Sequence, residues 1–215
     1  MQMPPSLRKL MLTTHVTASV GWAGALGVFL AHAVVSVSSA DTQLVRAACI
    51  AMGLSAWLVI LPLSLVSLVS GIVQALGTAF GLIRHYWVVF KLVLTVAATA
   101  VLLLKLAPIS YLAEAASQAG SLDPSSMGVR MSLLVHAVGG LAFLLVATVL
   151  AIYKPGGVTK FGRRAQPQGE GILSAAVGSA AVPRWVKFSA AATVVVFLLL
   201  LSMALFGIHS PRVHG

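Results

Sequence analysis

Residues Leu10 to Val37 read LMLTTHVTASVGWAGALGVFLAHAVVSV, a run free of Asp, Glu, Lys and Arg. A hydrocarbon core of ~30 Å needs about 20 helical residues at ~1.5 Å of rise each, so this run can cross a bilayer as one helix. Four more apolar runs follow, at roughly 43–76, 87–106, 129–153 and 185–208, and the five fill most of the 215 residues. With 59% hydrophobic and 8% charged residues, the chain has too little polar surface for a water-soluble fold.

The expected fold is all-α: a single integral membrane domain, a polytopic helical bundle of about five spans. Lipid cannot satisfy open backbone groups, and β-barrel strands would be shorter and alternating. The second run is too long for an upright crossing, so it must tilt, kink at Pro62 or project. The third is expected to stop at Leu106, ahead of Pro108. The connection after it holds Tyr111 to Ala116, which suggests a short interfacial helix. The basic stretch 154–184, rich in Gly, Pro and Gln, reads as a flexible loop. Arg8 and Lys9 ahead of the first run suggest a signal peptide. That run is about twice the ~7–15 residues of a signal h-region, so it is read as a span. Cys49 is the only cysteine, which excludes an intrachain disulfide, a thiolate zinc site and an iron–sulfur cluster.

Charge sets the orientation. With the N-terminus inside, ten basic residues fall inside and Arg46, Lys105, Arg130 and Arg212 fall outside. This positive-inside bias predicts N-in and C-out. The net charge of +10 is therefore a topology signal, with lipid headgroups as the simplest contact. No basic stripe with interleaved aromatics points to nucleic acid.

Ionisable residues inside spans are costly and mark functional candidates. Here they are His15, His32 and His136, with His85, Lys91, Lys105 and Arg130 near span ends; no span holds an acidic residue. That argues against an ordinary ion-coupled transporter. Lys91 and Lys105 are expected to snorkel to the headgroups. In depth, His15 pairs with His85 on the inner side and His32 with His136 on the outer side. Paired imidazoles from two helices are the ligand set of a b-type haem. His136 is followed by Gly139 and Gly140, which leave room for a flat ring or a close helix. Along the first run, His15, Ala18, Trp22, Ala25, Phe29 and His32 form a heptad-like seam. On a straight helix the 17 residues between the histidines turn His32 about 100° away from His15; supercoiling reduces this. The plain reading of each histidine is a hydrogen bond to a neighbouring helix, worth ~1 kcal/mol. Ser64, Ser67, Ser70 and Gln74 give the second run a polar stripe that suits helix packing, or less simply a solute path. Arg84-His85-Tyr86-Trp87 fits an interfacial belt, with a quinone or lipid headgroup as its conceivable ligand.

Three segments carry a family resemblance. They are Leu10 to Gly27 (LMLTTHVTASVGWAGALG), with a histidine seven residues ahead of Trp-x-Gly; Leu65 to Leu94 (LVSLVSGIVQALGTAFGLIRHYWVVFKLVL); and HAVGG in the fourth run. Over Leu10 to Tyr153 the chain resembles a bacterial family of predicted integral membrane proteins of unknown function, frequent in actinobacteria. That family is distantly similar to the membrane part of copper-resistance D proteins. The resemblance implies a multi-pass protein of the bacterial plasma membrane and a helical bundle.

Three functions follow as expectations. The first is a b-type haem-binding or redox-linked membrane subunit, with His32 and His136 as axial ligands and His15 with His85 as the second pair. The second is a non-catalytic scaffold or accessory subunit of a larger complex. The third is a small transporter or metal-handling protein. None implies an enzyme acting alone: no triad-like grouping is visible.

Overall fold

The computed structural model describes residues 4–77, 86–118, 122–123 and 125–153. The fifth apolar run, the basic stretch 154–184, His85, His209 and His214 lie outside the described residues.

All described elements are helical: α1 (Pro5–Ser38), α2 (Thr42–Ser55), a π-helical turn (Ala56–Ile60), α3 (Leu61–Gly77), α4 (Tyr86–Ser117) and α5 (Ser126–Tyr153). Four helices are long and apolar enough to cross a membrane, with α2, the π turn and α3 counting as one. Helix α1 packs against α2, α3 and α5, while α4 packs against α2, α3 and α5. Large apolar side chains such as Val20, Leu58, Leu76 and Ile152 stay exposed. That is costly in water and expected where lipid is the solvent.

The turn between α1 and α2 is short because Asp41 caps α2. Its carboxylate accepts from the N–H of Gln43 at 2.8 Å and of Leu44 at 3.4 Å. The long second run neither ends nor folds back at Pro62. Proline lacks an N–H, and its ring crowds the carbonyl four residues earlier. The chain widens just before it: the N–H of Leu61 bonds the carbonyl of Ala56, five residues back.

Pro108 does not end the third run. Helix α4 continues through it to Ser117, so Tyr111 to Ala116 are its last turns rather than a separate interfacial helix. A proline costs a helix one hydrogen bond, and packing compensates: Leu106, Ile109, Leu112 and Ala116 all join the main core. The extension moves Lys105 from the end of a span to its interior.

The seam of α1 also differs from the heptad expectation. The buried positions are His15, Ala18, Trp22, Leu26, Phe29, Ala33 and Ser36. Steps of 3, 4, 4, 3, 4 and 3 follow a nearly straight helix, on which 18 residues make about five full turns. Ala33 therefore stacks in line with His15, and His32 falls on the flank, half-buried.

Candidate functional site: two polar layers inside the helices

The first layer lies near the start of α1. The His15 Nδ1 sits 2.9 Å from the Ser67 carbonyl and 3.2 Å from the Ser70 hydroxyl oxygen. Ser70 gives its own proton to the Val66 carbonyl at 2.6 Å. Nδ1 must therefore carry the imidazole proton, which leaves Nε2 as an acceptor. The Lys91 ammonium donates to that Nε2 at 3.1 Å. Ser19 and Ser67 share a hydroxyl hydrogen bond of 2.7 Å, and Gln74 donates to the Met11 carbonyl at 2.7 Å. A Cβ on Gly71 would stand 3.0 Å from the His15 ring, so glycine there lets α3 close onto the imidazole.

This layer uses the polar stripe of the second run. Ser64, Ser67 and Ser70 are buried, and each hydroxyl is hydrogen-bonded. Ser67, Ser70 and Gln74 bond residues of α1, while Ser64 bonds the Leu61 carbonyl of its own helix. Lys91 does not snorkel. Its ammonium reaches the His15 ring, and that bond holds it between the helices.

The second layer lies further along α1, at Trp22 to Phe29. A partly open chamber of about 60 Å³ is lined by Trp22, Phe29, Lys105, His136, Gly140 and Phe143, with further apolar residues. The Lys105 ammonium donates to the Ser132 hydroxyl at 3.2 Å, and the His136 Nδ1–H donates to the Ser132 carbonyl at 2.6 Å. Lys105 is only 8% exposed. It too turns inward, contrary to the snorkelling expectation, because α4 continues past it. A Cβ on Gly140 would approach Leu26 at 3.1 Å, so this glycine serves close packing of α5 on α1.

Of the expected histidine pairs, only His32 with His136 falls wholly within the described residues. His15 meets Ser67, Ser70 and Lys91, while His85 lies outside the described residues. His136 lines the chamber, and His32 does not. The Nδ1 of His32 is buried with no hydrogen-bond partner among the described residues. No group of three or more His, Cys, Asp or Glu suited to a metal ion occurs among the described residues.

Two arginines read as charge markers also close helix ends. Arg46 donates to the carbonyls of Ala116 at 2.7 Å and Gln118 at 2.6 Å, at the end of α4. Arg130 donates to the Ser36 carbonyl at the end of α1. Cations suit helix C-termini because the last carbonyls lack helical donors and carry partial negative charge.

Sequence reasoning missed Ser132 and the inward turn of both lysines. A signal was present. Lys91 and Lys105 are 14 residues apart, about 40° short of four full helical turns, so they share one stripe of α4. Ser132 and His136 stand one turn apart on α5.

No family model, curated protein or solved structure matches this chain.

Proposed function

We propose that this chain is a multi-pass protein of a bacterial plasma membrane, a helical bundle of five spans with its N-terminus inside, which serves as a non-catalytic accessory subunit of a membrane complex. The observation that carries this reading is the first layer. Its interior groups bond one another across α1, α3 and α4, with His15 held at both ring nitrogens. Polar groups used this way fix how helices pack. The positive-inside bias and the exposed apolar surface support the membrane placement.

A second reading, a redox-linked subunit with a b-type haem, is favoured by one observation: the buried Nδ1 of His32, which has no hydrogen-bond partner among the described residues. Such a group would supply one-electron transfer, with His32 and His136 as its ligands. The chamber beside His136 does not fit it. Its wall holds His136 and not His32, the other expected ligand.

The deciding experiment is an absorption spectrum of the detergent-purified protein, oxidised and then dithionite-reduced. A colourless protein after expression with added haem is expected. A sharpened reduced α-band that disappears in His32→Ala or His136→Ala would replace the accessory reading with the haem one.

A further inference from the structure

Lys105 poses a problem of charge. Moving an ammonium from water into a protein interior costs several kcal/mol unless an anion or several hydrogen bonds compensate. Lys105 carries up to three donors, and its one hydrogen bond among the described residues is to the neutral Ser132 hydroxyl. The described carboxylates are Asp41, Glu114 and Asp123, and none of them is buried. Glu114, on the same helix, is nine residues away, or about 14 Å along the axis. Among the described residues, the protein therefore brings a cation into its interior and supplies no anion for it.

The chamber supplies the place for one. Lys105 forms part of its wall together with Trp22, Phe29, Phe143 and Ile60. The lining is otherwise almost wholly apolar, and His136 is its second polar residue. The chamber is partly open, so a ligand need not be contained within it. A ligand matched to this site has one anionic head that accepts from Lys105 and an apolar chain that leaves through the open side. An inorganic anion would bring no surface for the aromatic walls, and a neutral lipid would leave the ammonium unpaired.

We propose that the chamber beside Lys105 binds a single-chain lipid carboxylate, a free fatty acid. The head accepts from the Lys105 ammonium, and the first carbons of the chain lie against Trp22, Phe29 and Phe143. This site is independent of the accessory-subunit reading, which rests on the first layer.

The test uses the full chain in detergent micelles, titrated with dansyl-labelled undecanoate and, separately, with a dansyl-labelled undecanol of the same length. The carboxylate probe should bind saturably and be displaced by unlabelled laurate, whereas the alcohol should bind weakly. Lys105→Met removes the charge and keeps the apolar stem. It should weaken the carboxylate at least about 30-fold and leave the alcohol unchanged, because an unpaired head would then be buried. Lys105→Arg should retain most of the binding. Ala98→Leu narrows the chamber without touching charge and should abolish carboxylate binding. This second variant keeps the site testable even where Lys105→Met fails to fold. Equal affinity for the two probes, unchanged binding in Lys105→Met, or unchanged binding in Ala98→Leu would each overturn the proposal. So would a haem band lost in His136→Ala, which would give the same chamber to haem.

Discussion

The two polar layers are built from the same parts and end differently. Each has a lysine from α4, an imidazole and a serine. In the first layer the lysine meets the imidazole directly, and the glycine at position 71 lets the helices close over the pair. In the second, the ammonium's one partner among the described residues is a hydroxyl, and three aromatic rings line a chamber beside it. The same composition thus yields a helix clamp in one place and, among the described residues, a cation without an anion beside a space in the other. The residue type does not decide between these outcomes; what faces it across the helix interface does.

The sharpest way to break this contrast is to remove the imidazole of the clamp. His15→Ala leaves the half-buried Lys91 ammonium without its partner. It should lower stability by about 2–4 kcal/mol, read as a fall in the thermal unfolding midpoint in detergent. The paired change His15→Leu with Lys91→Leu should cost less than His15→Ala alone, because no charge is left stranded. A double variant as unstable as the single one would mean that Lys91 has another partner.

A smaller effect is expected where helices approach most closely. A Cβ on Gly53 would lie 2.6 Å from the Ala113 Cβ, so Gly53→Ala should force α2 and α4 apart and cost about 1–3 kcal/mol. An unchanged midpoint would show that the two helices separate freely.

The two lysines should then part company. Lys91→Met takes the donor from His15 and should destabilise by about 1 kcal/mol, within the range of single interhelical hydrogen bonds. Lys105→Met removes a poorly compensated charge and should be neutral or stabilising by about 1 kcal/mol when no ligand is bound. Equal losses in the two variants would end the distinction between clamp and chamber. The smallest effect belongs to the exposed Trp57, whose indole N–H donates to the Ser110 hydroxyl at 2.9 Å. Trp57→Phe should cost about 0.6 kcal/mol, the mean found for such bonds inside membranes.

Much of the fold was legible because it depends on composition and length alone. The helices, their apolar character and four of the five runs follow from ~1.5 Å of rise per residue and the need to satisfy every backbone group in lipid. Proline was a weaker guide. At Pro62 the chain inserted a π turn, and at Pro108 α4 simply continued, since neighbouring helices compensate for the lost bond. The site was less legible. His15, His136 and the serine stripe stood out as polar groups in apolar runs. Their partners did not, because a hydrogen bond between residues 76 positions apart, as between Lys91 and His15, leaves no local pattern.

The sequence by itself determined that this chain is helical, apolar enough to cross a membrane and poor in anions. Those properties are sums over residues and need no knowledge of neighbours. Only the tertiary structure decided that Lys91 and Lys105 face inward, that His32 leaves the seam of α1, and that Arg46 and Arg130 close the ends of other helices. Each of these depends on the rotation of one helix against another. A few tens of degrees there move a side chain from lipid to a partner, and side-chain packing sets that angle, not the order of residues along one helix.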